Sequence, residues 1–295
     1  MDVIQLHAAA EDLTAAFAGR RLRAVHGTDT APELDLGGET RLRLAIAGQF
    51  RGLYPLTSGL SDAAEAFPQY LQQRLAGMRL AAVDHPWPDR VAVLRFVHRR
   101  VTGAETERSL VLELLGKHCN LLLLTPDGRV DRPLYRPALT DRDARALPGS
   151  PYEPPELPGG PGTHNLLAAP PPADADCSGD PRELAGRFTP LPPLAGRAVA
   201  ALPEGERGAF LARLHEVLAG GSACWYHHRD DKDRPFLYPV ALPDREAEPA
   251  GPFGEAWPAL VETSLRDAQR EQQRQALERR VRKQRKRLLD RQEKV

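Results

Sequence analysis

Apolar and polar positions alternate along the start of the chain in a pattern that predicts a helix, short strands and a second helix. Residues 1–18 carry apolar side chains at roughly helical spacing, and Asp2 can cap the first turn. Short apolar runs between residues 22 and 46, separated by Gly, Asp and Pro, are typical of an antiparallel meander. A helix is predicted from about Pro68, because proline suits a first helical turn and Gly77 suits a C-terminal cap.

The clearest strand pattern follows that helix. Residues 90–97 and 121–124 are apolar runs of strand length, and residues 109–115 place leucines on one face. A polar turn, residues 116–120, joins the last two runs. Residues 126–128, Pro-Asp-Gly, then indicate a hairpin, because glycine supplies a positive φ. Together these runs predict an antiparallel sheet.

A proline-rich stretch separates this sheet from a largely helical part. Residues 148–172 are rich in Pro and Gly, and they are predicted to be a linker or an extended surface loop without packed structure. Residues 180–220 have helical patterning, and residues 222–255 again resemble strand and loop. Residues 257–295 predict a long charged helix. A thin heptad seam along it is formed by Leu277, Val281 and Leu288.

Charge is balanced over the whole chain but unevenly placed. The 295 residues contain 40 basic and 40 acidic side chains. From Arg266 to the end there are 12 basic and 5 acidic residues, which leaves 28 basic and 35 acidic residues in the preceding body. A basic tail on an acidic body predicts that the tail contacts nucleic acid or another acidic surface.

Several classes of protein do not fit the sequence. Three widely spaced cysteines predict neither a disulfide framework nor a zinc motif. The chain starts without a basic leader, and no window approaches the length of apolar run that spans a membrane, so we expect a cytoplasmic protein. His227 and His228, with Asp230–Asp233, are interpreted as a polar hairpin tip, since adjacent residues cannot easily converge on one ion. No metal and no cofactor are predicted.

Several motifs, in the same order, resemble those of the NFACT family of RqcH/NEMF-like proteins. The run Leu-Glu-Leu-Leu-Gly-Lys-His-Cys-Asn at 112–120, followed by an apolar strand, is similar to the signature of the NFACT N-terminal domain. The run Leu-Pro-Gly-Ser-Pro-Tyr-Glu-Pro-Pro at 147–155 and His-Pro-Trp-Pro-Asp-Arg at 85–90 match further elements of that family. The opening residues 1–7 and the segment 188–199 also fit, so the resemblance extends over most of the chain.

The resemblance implies an α+β architecture. It predicts an N-terminal domain over 1–175, an antiparallel β-sandwich like the N-terminal domain of formamidopyrimidine-DNA glycosylases. A small helix-hairpin-helix domain would follow over 176–221. Residues 222–256 would return to the first domain, and 257–295 would begin a long coiled-coil helix. One departure is Pro190, which occupies the glycine position of the hairpin and lacks the N–H that could approach a phosphate.

The function implied by the resemblance is RNA binding in ribosome quality control. Family members bind the large ribosomal subunit that carries an obstructed peptidyl-tRNA, and they recruit tRNA for C-terminal tailing of the stalled chain. The expected partners are therefore the large subunit, its rRNA and tRNA, without a membrane or a small-molecule substrate. No catalytic constellation is expected. A cell-surface fibronectin-binding adhesin, as older family names suggest, and a DNA-glycosylase-like nucleic-acid-binding protein are the alternatives.

Asp89 and Arg90 are the principal site residues, predicted to contact tRNA; an ordinary surface ion pair is the alternative. The other possible RNA-binding residues are Lys117, His118, Asn120, Arg136, Arg142, Arg279, Arg280, Arg282, Lys283, Arg285, Lys286 and Arg287. For the turn residues among them, hydrogen bonding to the turn's own backbone is the alternative, and for the helix residues a solvated coil face. Four aromatic residues are expected in the core, with base stacking as the alternative: Trp225, Tyr226, Phe236 and Tyr238.

Overall fold

The computed structural model describes most of the chain in six helices and fourteen strands. The described residues are 1–48, 50–57, 63–86, 89–99, 103–136, 146–155, 162–220 and 224–292, without the side chains of 268, 269, 271, 272 and 284–292. The helices are α1 (Val3–Phe17), α2 (Ala66–Leu75), α3 (Pro181–Arg187), α4 (Pro193–Ala201), α5 (Glu204–Gly220) and α6 (Phe253–Gln292).

The strands lie in four groups. The first is β1 (Ala24–Thr28), β2 (Ala31–Asp35), β3 (Arg41–Ala45) and β4 (Gly52–Leu56), and the second is β5 (Arg79–Asp84), β6 (Val91–Arg99), β7 (Glu105–Glu113), β8 (Asn120–Leu124) and β9 (Val130–Pro133). The third is β10 (His164–Asn165) with β11 (Phe188–Thr189), and the fourth is β12 (Trp225–Arg229), β13 (Pro235–Tyr238) and β14 (Glu248–Gly251).

The first two groups are antiparallel meanders, as the sequence predicts. Strands pair in chain order, β1 to β4 in one sheet and β5 to β9 in the other. Both sheets share one apolar core with α1, whose Leu6, Leu13 and Phe17 are buried in it. Gly77 ends α2 with φ of 82°, a conformation that glycine adopts without a Cβ clash. The mixed α/β class with antiparallel sheets is therefore confirmed.

A second core joins α3, α4 and α5, and one prediction is wrong there. Leu166 is fully buried in this core, and His164–Asn165 pairs in parallel with Phe188–Thr189. The region 148–172 is thus partly packed, because the apolar Leu166 interrupts the Pro/Gly-rich composition. Residues of α1 and β13 contribute to both cores, as Val3 and Leu6 of α1 illustrate. The predicted domain boundaries, the helix-hairpin-helix and the sandwich geometry stay predictions.

The third antiparallel sheet, β12 to β14, covers the first core together with the start of α6. Trp225 and Tyr238 are fully buried, and Trp225 Nε1 donates to Asp12 Oδ2 at 2.9 Å. Core packing, and not base stacking, is therefore the role of these two aromatic residues. His227 and His228 lie in β12 rather than at the hairpin tip, which is formed by Asp230–Asp233.

Helix α6 begins buried and ends exposed. Phe253, Trp257 and Val261 pack in the first core, whereas Leu277 and Val281 are 60% and 62% exposed. The heptad seam is therefore uncovered within the described residues, and the coiled coil stays a prediction. Across the part of the chain that the structure describes, no helix combines the length and apolar character needed to cross a membrane.

Candidate nucleic-acid interface

The β5–β6 and β7–β8 turns meet at one end of the five-stranded sheet. Because adjacent strands are antiparallel, alternate turns lie at the same end. Leu114 N–H donates to Arg90 O at 2.9 Å, which fixes the end of β7 to the start of β6. Arg51 Nη1 reaches the second turn and donates to Gly116 O at 3.3 Å. Gly116 has φ of 66°, which lets the chain reverse there.

Asp89 and Arg90 form a local pair at this end. Arg90 N–H donates to Asp89 Oδ1 at 2.7 Å, whereas Arg90 Nε lies 3.8 Å from the same oxygen. Their side chains are 23% and 41% exposed. The carboxylate is thus held by a backbone bond, and the guanidinium keeps donors for a ligand. Residues 87 and 88, which precede Asp89 in this turn, lie outside the described residues.

The structure adds Asp2 to the pair. A cleft of about 330 Å³ is lined by Asp2–Val3, Asp89–Arg90, Ala185 and residues 189–193. Asp2 caps α1 by accepting Gln5 N–H at 2.9 Å. Sequence reasoning assigned Asp2 only this capping role. Its place in the opening motif of residues 1–7 was the signal that could have indicated more.

The charge in the cleft is mainly negative. Asp2 and Asp89 supply two carboxylates beside the single guanidinium of Arg90. Burial raises the pKa of Asp2, and the Gln5 backbone bond opposes that rise. Asp2 Oδ2 is buried without a hydrogen bond of normal geometry, as is the hydroxyl of Tyr238 that faces it. Such a cleft suits a ligand that offers both donors and an anionic group.

The opposite wall of the cleft offers few donors. This wall begins at Thr189, the last residue of β11, and continues through Pro190-Leu191-Pro192-Pro193. The peptide bond between Thr189 and Pro190 is cis. The three prolines have no N–H, so the wall cannot surround a phosphate with backbone donors. Among the described residues that line the cleft, only Arg90 carries a positive charge that can pair with an anion.

The other predicted residues divide into exposed and buried ones. Lys117 and His118 are exposed on the β7–β8 turn, and Arg136 is exposed beyond β9 at the same end of the sheet. Asn120 is buried, donating to Tyr135 O at 2.9 Å and accepting Tyr135 N–H at 3.0 Å. This geometry favours the alternative for Asn120, which is stabilisation of the turn. Arg142 lies outside the described residues.

The basic residues of α6 lie far along the helix from its buried start. Arg279, Arg280, Arg282 and Lys283 are all exposed. They begin 18 residues beyond the buried Val261, which is roughly 27 Å at 1.5 Å per residue. Helix α6 also contains Arg285, Lys286 and Arg287, whose side chains lie outside the described residues.

A histidine pair connects the segment before Asp89 to the helical part. His85 Nδ1 lies 3.2 Å from His7 Nδ1, and His7 Nε2 lies 2.6 Å from Leu218 O in α5. His7 must donate to that carbonyl, so its Nδ1 accepts from His85. Burial, and secondarily the charge of His7, lowers the pKa of His85 to about 4. His85 is therefore neutral at neutral pH.

Fold and cleft together define a mixed α/β protein with antiparallel sheets around a shared core. A family model described as NFACT N-terminal and middle domains matches residues 2–165, more than half of the chain. The chain belongs to the NFACT family.

Solved structures with a similar fold include the following three. The N-terminal part of the fibronectin/fibrinogen-binding protein from Streptococcus suis is 18% identical, with a TM-score of 0.68 over 90% of this chain and 99% of that one. The fibrinogen-binding protein from Staphylococcus aureus is 14% identical, with a TM-score of 0.66 over 88% and 97%. The N-terminal domain of fibronectin-binding protein PavA from Streptococcus pneumoniae is 17% identical, with a TM-score of 0.55 over 90% and 98%. At these identities the likeness concerns the fold. No curated protein matches the chain.

Proposed function

We propose that this protein is an RNA-binding component of ribosome quality control in the cytoplasm. It binds the large ribosomal subunit that carries an obstructed peptidyl-tRNA, and it recruits tRNA for C-terminal tailing of the stalled chain. Membership of the NFACT family supports this role. The observation that carries it is the cleft in which Asp2, Asp89 and Arg90 converge.

The chemistry of the cleft matches a nucleotide better than a bare phosphate. The fork of Arg90 pairs with a phosphate or with the acceptor edge of a base, and the partly exposed carboxylate of Asp89 accepts from amino or hydroxyl groups. One exposed cation beside one partly exposed carboxylate favours a ligand with such donors. The protein positions the tRNA, and the ribosome catalyses the formation of the peptide bonds of the tail.

The exposed basic residues of α6 supply a second, less specific contact. Arg279, Arg280, Arg282 and Lys283 carry four positive charges on one short stretch of helix. Positive charge that neutralises phosphates releases counterions, so this contact weakens steeply as salt rises. We assign it to rRNA of the large subunit.

Pelleting with large subunits at increasing salt tests the role. The wild-type protein is expected to pellet at low salt and to be released as salt rises. Changing Arg279, Arg280, Arg282 and Lys283 to Gln should weaken pelleting and flatten its salt dependence. A matched variant with Arg266 and Arg270 changed to Gln, nearer the buried start of α6, should behave more like wild type. Wild-type protein that stays in the supernatant at low salt would overturn the proposal.

Binding of fibronectin is the second candidate, because two of the similar structures carry that activity in their names. Immobilised fibronectin incubated with the full chain tests it. Saturable capture that survives competition with large subunits would favour this candidate over ribosome quality control.

A further inference from the structure

A group of arginines stands at the opposite end of β5 from the cleft. Arg20, Arg21 and Arg23 follow α1, and Arg79 starts β5; all four side chains belong to exposed residues. We call these four residues the arginine edge. β5 is six residues long, so at roughly 3.3 Å per residue this edge lies on the order of 20 Å from Asp89. It is a separate surface.

Backbone pairing holds the arginine edge together. Leu22 N–H donates to Met78 O at 2.8 Å, Gly77 N–H donates to Leu22 O at 2.9 Å, and Arg21 forms an antiparallel bridge with Arg79. Gln72 of α2 accepts Val25 N–H at 2.7 Å, which ties the same segment to the helix. The arginines are therefore presented by ordered backbone, which reduces the entropy lost when they bind.

The side chains of this edge are not neutralised by carboxylates. None of the four forms an ion pair with Asp or Glu within the described residues, unlike Arg43 and Arg95, which do. Arg20 instead donates to Gly37 O at 3.2 Å and Arg79 to Gly19 O at 2.7 Å. Within the described residues their positive charges are thus not ion-paired, on a body in which acidic residues outnumber basic ones by 35 to 28.

A shallow groove runs through the edge. Its volume is about 550 Å³, and it is lined by Arg21, Leu22, Arg23, Ala76 and Gly77. None of these residues is aromatic, and the ring of Phe17, at the end of α1, is buried and covered by Arg20 at 4.9 Å. Since the residues that line the groove offer no ring on which bases could stack, the groove does not suit a single strand. Guanidinium forks without carboxylates suit the phosphates of a duplex.

We propose that the arginine edge binds the phosphate backbone of double-stranded RNA, as a docking surface separate from the tRNA cleft. This inference rests on the proposed function, because it assumes that the partner is RNA. Arg21 and Arg23 line the groove and contact the phosphates, whereas Arg20 and Arg79 also hold neighbouring loops.

Anisotropy titration of the full chain with a labelled RNA duplex of two helical turns, about 20 base pairs, tests this docking surface. With Arg21→Gln and Arg23→Gln, affinity should fall on the order of tenfold or more near 0.1 M salt, and the slope of log affinity against log salt should shrink by about 2. Arg21→Lys with Arg23→Lys should keep most of the slope. Arg182→Gln with Arg213→Gln, two exposed arginines of the helical part, should match wild type.

The possible outcomes distinguish a failure of the arginine edge from a failure of the proposed function. If the Gln variant keeps the wild-type slope of log affinity against log salt, the arginine edge is not the docking surface. The same conclusion follows if the Lys variant loses as much affinity as the Gln variant while its melting temperature is normal. Pelleting of wild-type protein with large subunits is measured in the same preparations. Failure of wild-type pelleting overturns the proposed function, whereas normal pelleting with an unchanged duplex slope overturns only the arginine edge.

Discussion

The hydroxyl of Tyr152 donates a hydrogen bond of 2.9 Å to Oε1 of Glu113, across 39 residues of sequence. Glu113 is the last residue of β7 and is only 2% exposed. Both residues belong to motifs on which the family resemblance rests, the runs 112–120 and 147–155. A buried carboxylate needs hydrogen-bond donors, and this bond supplies one from the second motif to the first.

Changing Tyr152 to Phe should lower the free energy of unfolding by about 1.5–3 kcal/mol, because it removes a donor to a buried charged acceptor. Urea denaturation measures the change. Tyr135→Phe is the matched control, since Tyr135 is 52% exposed, and it should leave the midpoint unchanged. Equal midpoints for both variants would mean that the bond contributes little.

Arg207 should be essential for the helical part. Its guanidinium is buried and donates to four carbonyl oxygens, those of Leu202, Cys177, Gly179 and Ala200, at 2.9–3.2 Å. Arg207→Met keeps much of the apolar stem but leaves these acceptors without that donor. We expect a loss on the order of 3 kcal/mol or more.

Thermal or urea unfolding of that variant is compared with Arg213→Met, which changes an exposed arginine of the same helix α5. The control should remain within about 0.5 kcal/mol of wild type. Similar losses in both variants would show that helix α5 is sensitive to any arginine substitution and would contradict a specific role for Arg207.

Acid should destabilise the protein through His85. Its pKa falls from an ordinary value of 6.5 to about 4 in the folded state, chiefly because of burial. The unfolded chain therefore binds a proton that the folded chain does not, and stability is lost as pH falls from about 6.5 to about 4. Between pH 7 and pH 4 the expected contribution is about 2–3 kcal/mol.

The measurement compares unfolding free energies of wild type and His85→Gln at both pH values. Other titrating groups contribute to both proteins, so the difference between the two pH dependences isolates His85. Wild type should lose more stability on acidification than the variant. Parallel pH dependences would contradict a depressed pKa for His85.

Local elements could be predicted from the sequence because their signals are local. The period of apolar residues located α1 and the strands β6 to β8, and Gly77 indicated the end of α2. Leu166 was missed because one apolar residue within a Pro/Gly-rich stretch has no periodicity. Its burial depends on helices that follow it in the chain.

The cleft could be predicted only in part, because its walls come together through tertiary packing. The sequence and the resemblance indicated Asp89 and Arg90, but Asp2 and residues 189–193 reach them through the meeting of α1, the β5–β6 turn and the segment after β11. The order of residues along the chain does not show how close these segments lie in the folded protein. Likewise, Asn120 resembled a surface turn residue, and only the structure places its amide against the backbone of Tyr135.

The most direct test of RNA binding through the cleft is tRNA recovery with large subunits isolated through the tagged protein. Asp89→Asn with Arg90→Gln should nearly abolish tRNA recovery and spare most large-subunit binding, because the asparagine can still accept Arg90 N–H while the charges are gone. The matched control is Asp84→Asn with Arg95→Gln, a surface ion pair of the same hairpin, which should recover tRNA as wild type does. Normal tRNA recovery by the first variant, with an unchanged melting temperature, would contradict the account and reduce Asp89–Arg90 to an ordinary surface ion pair.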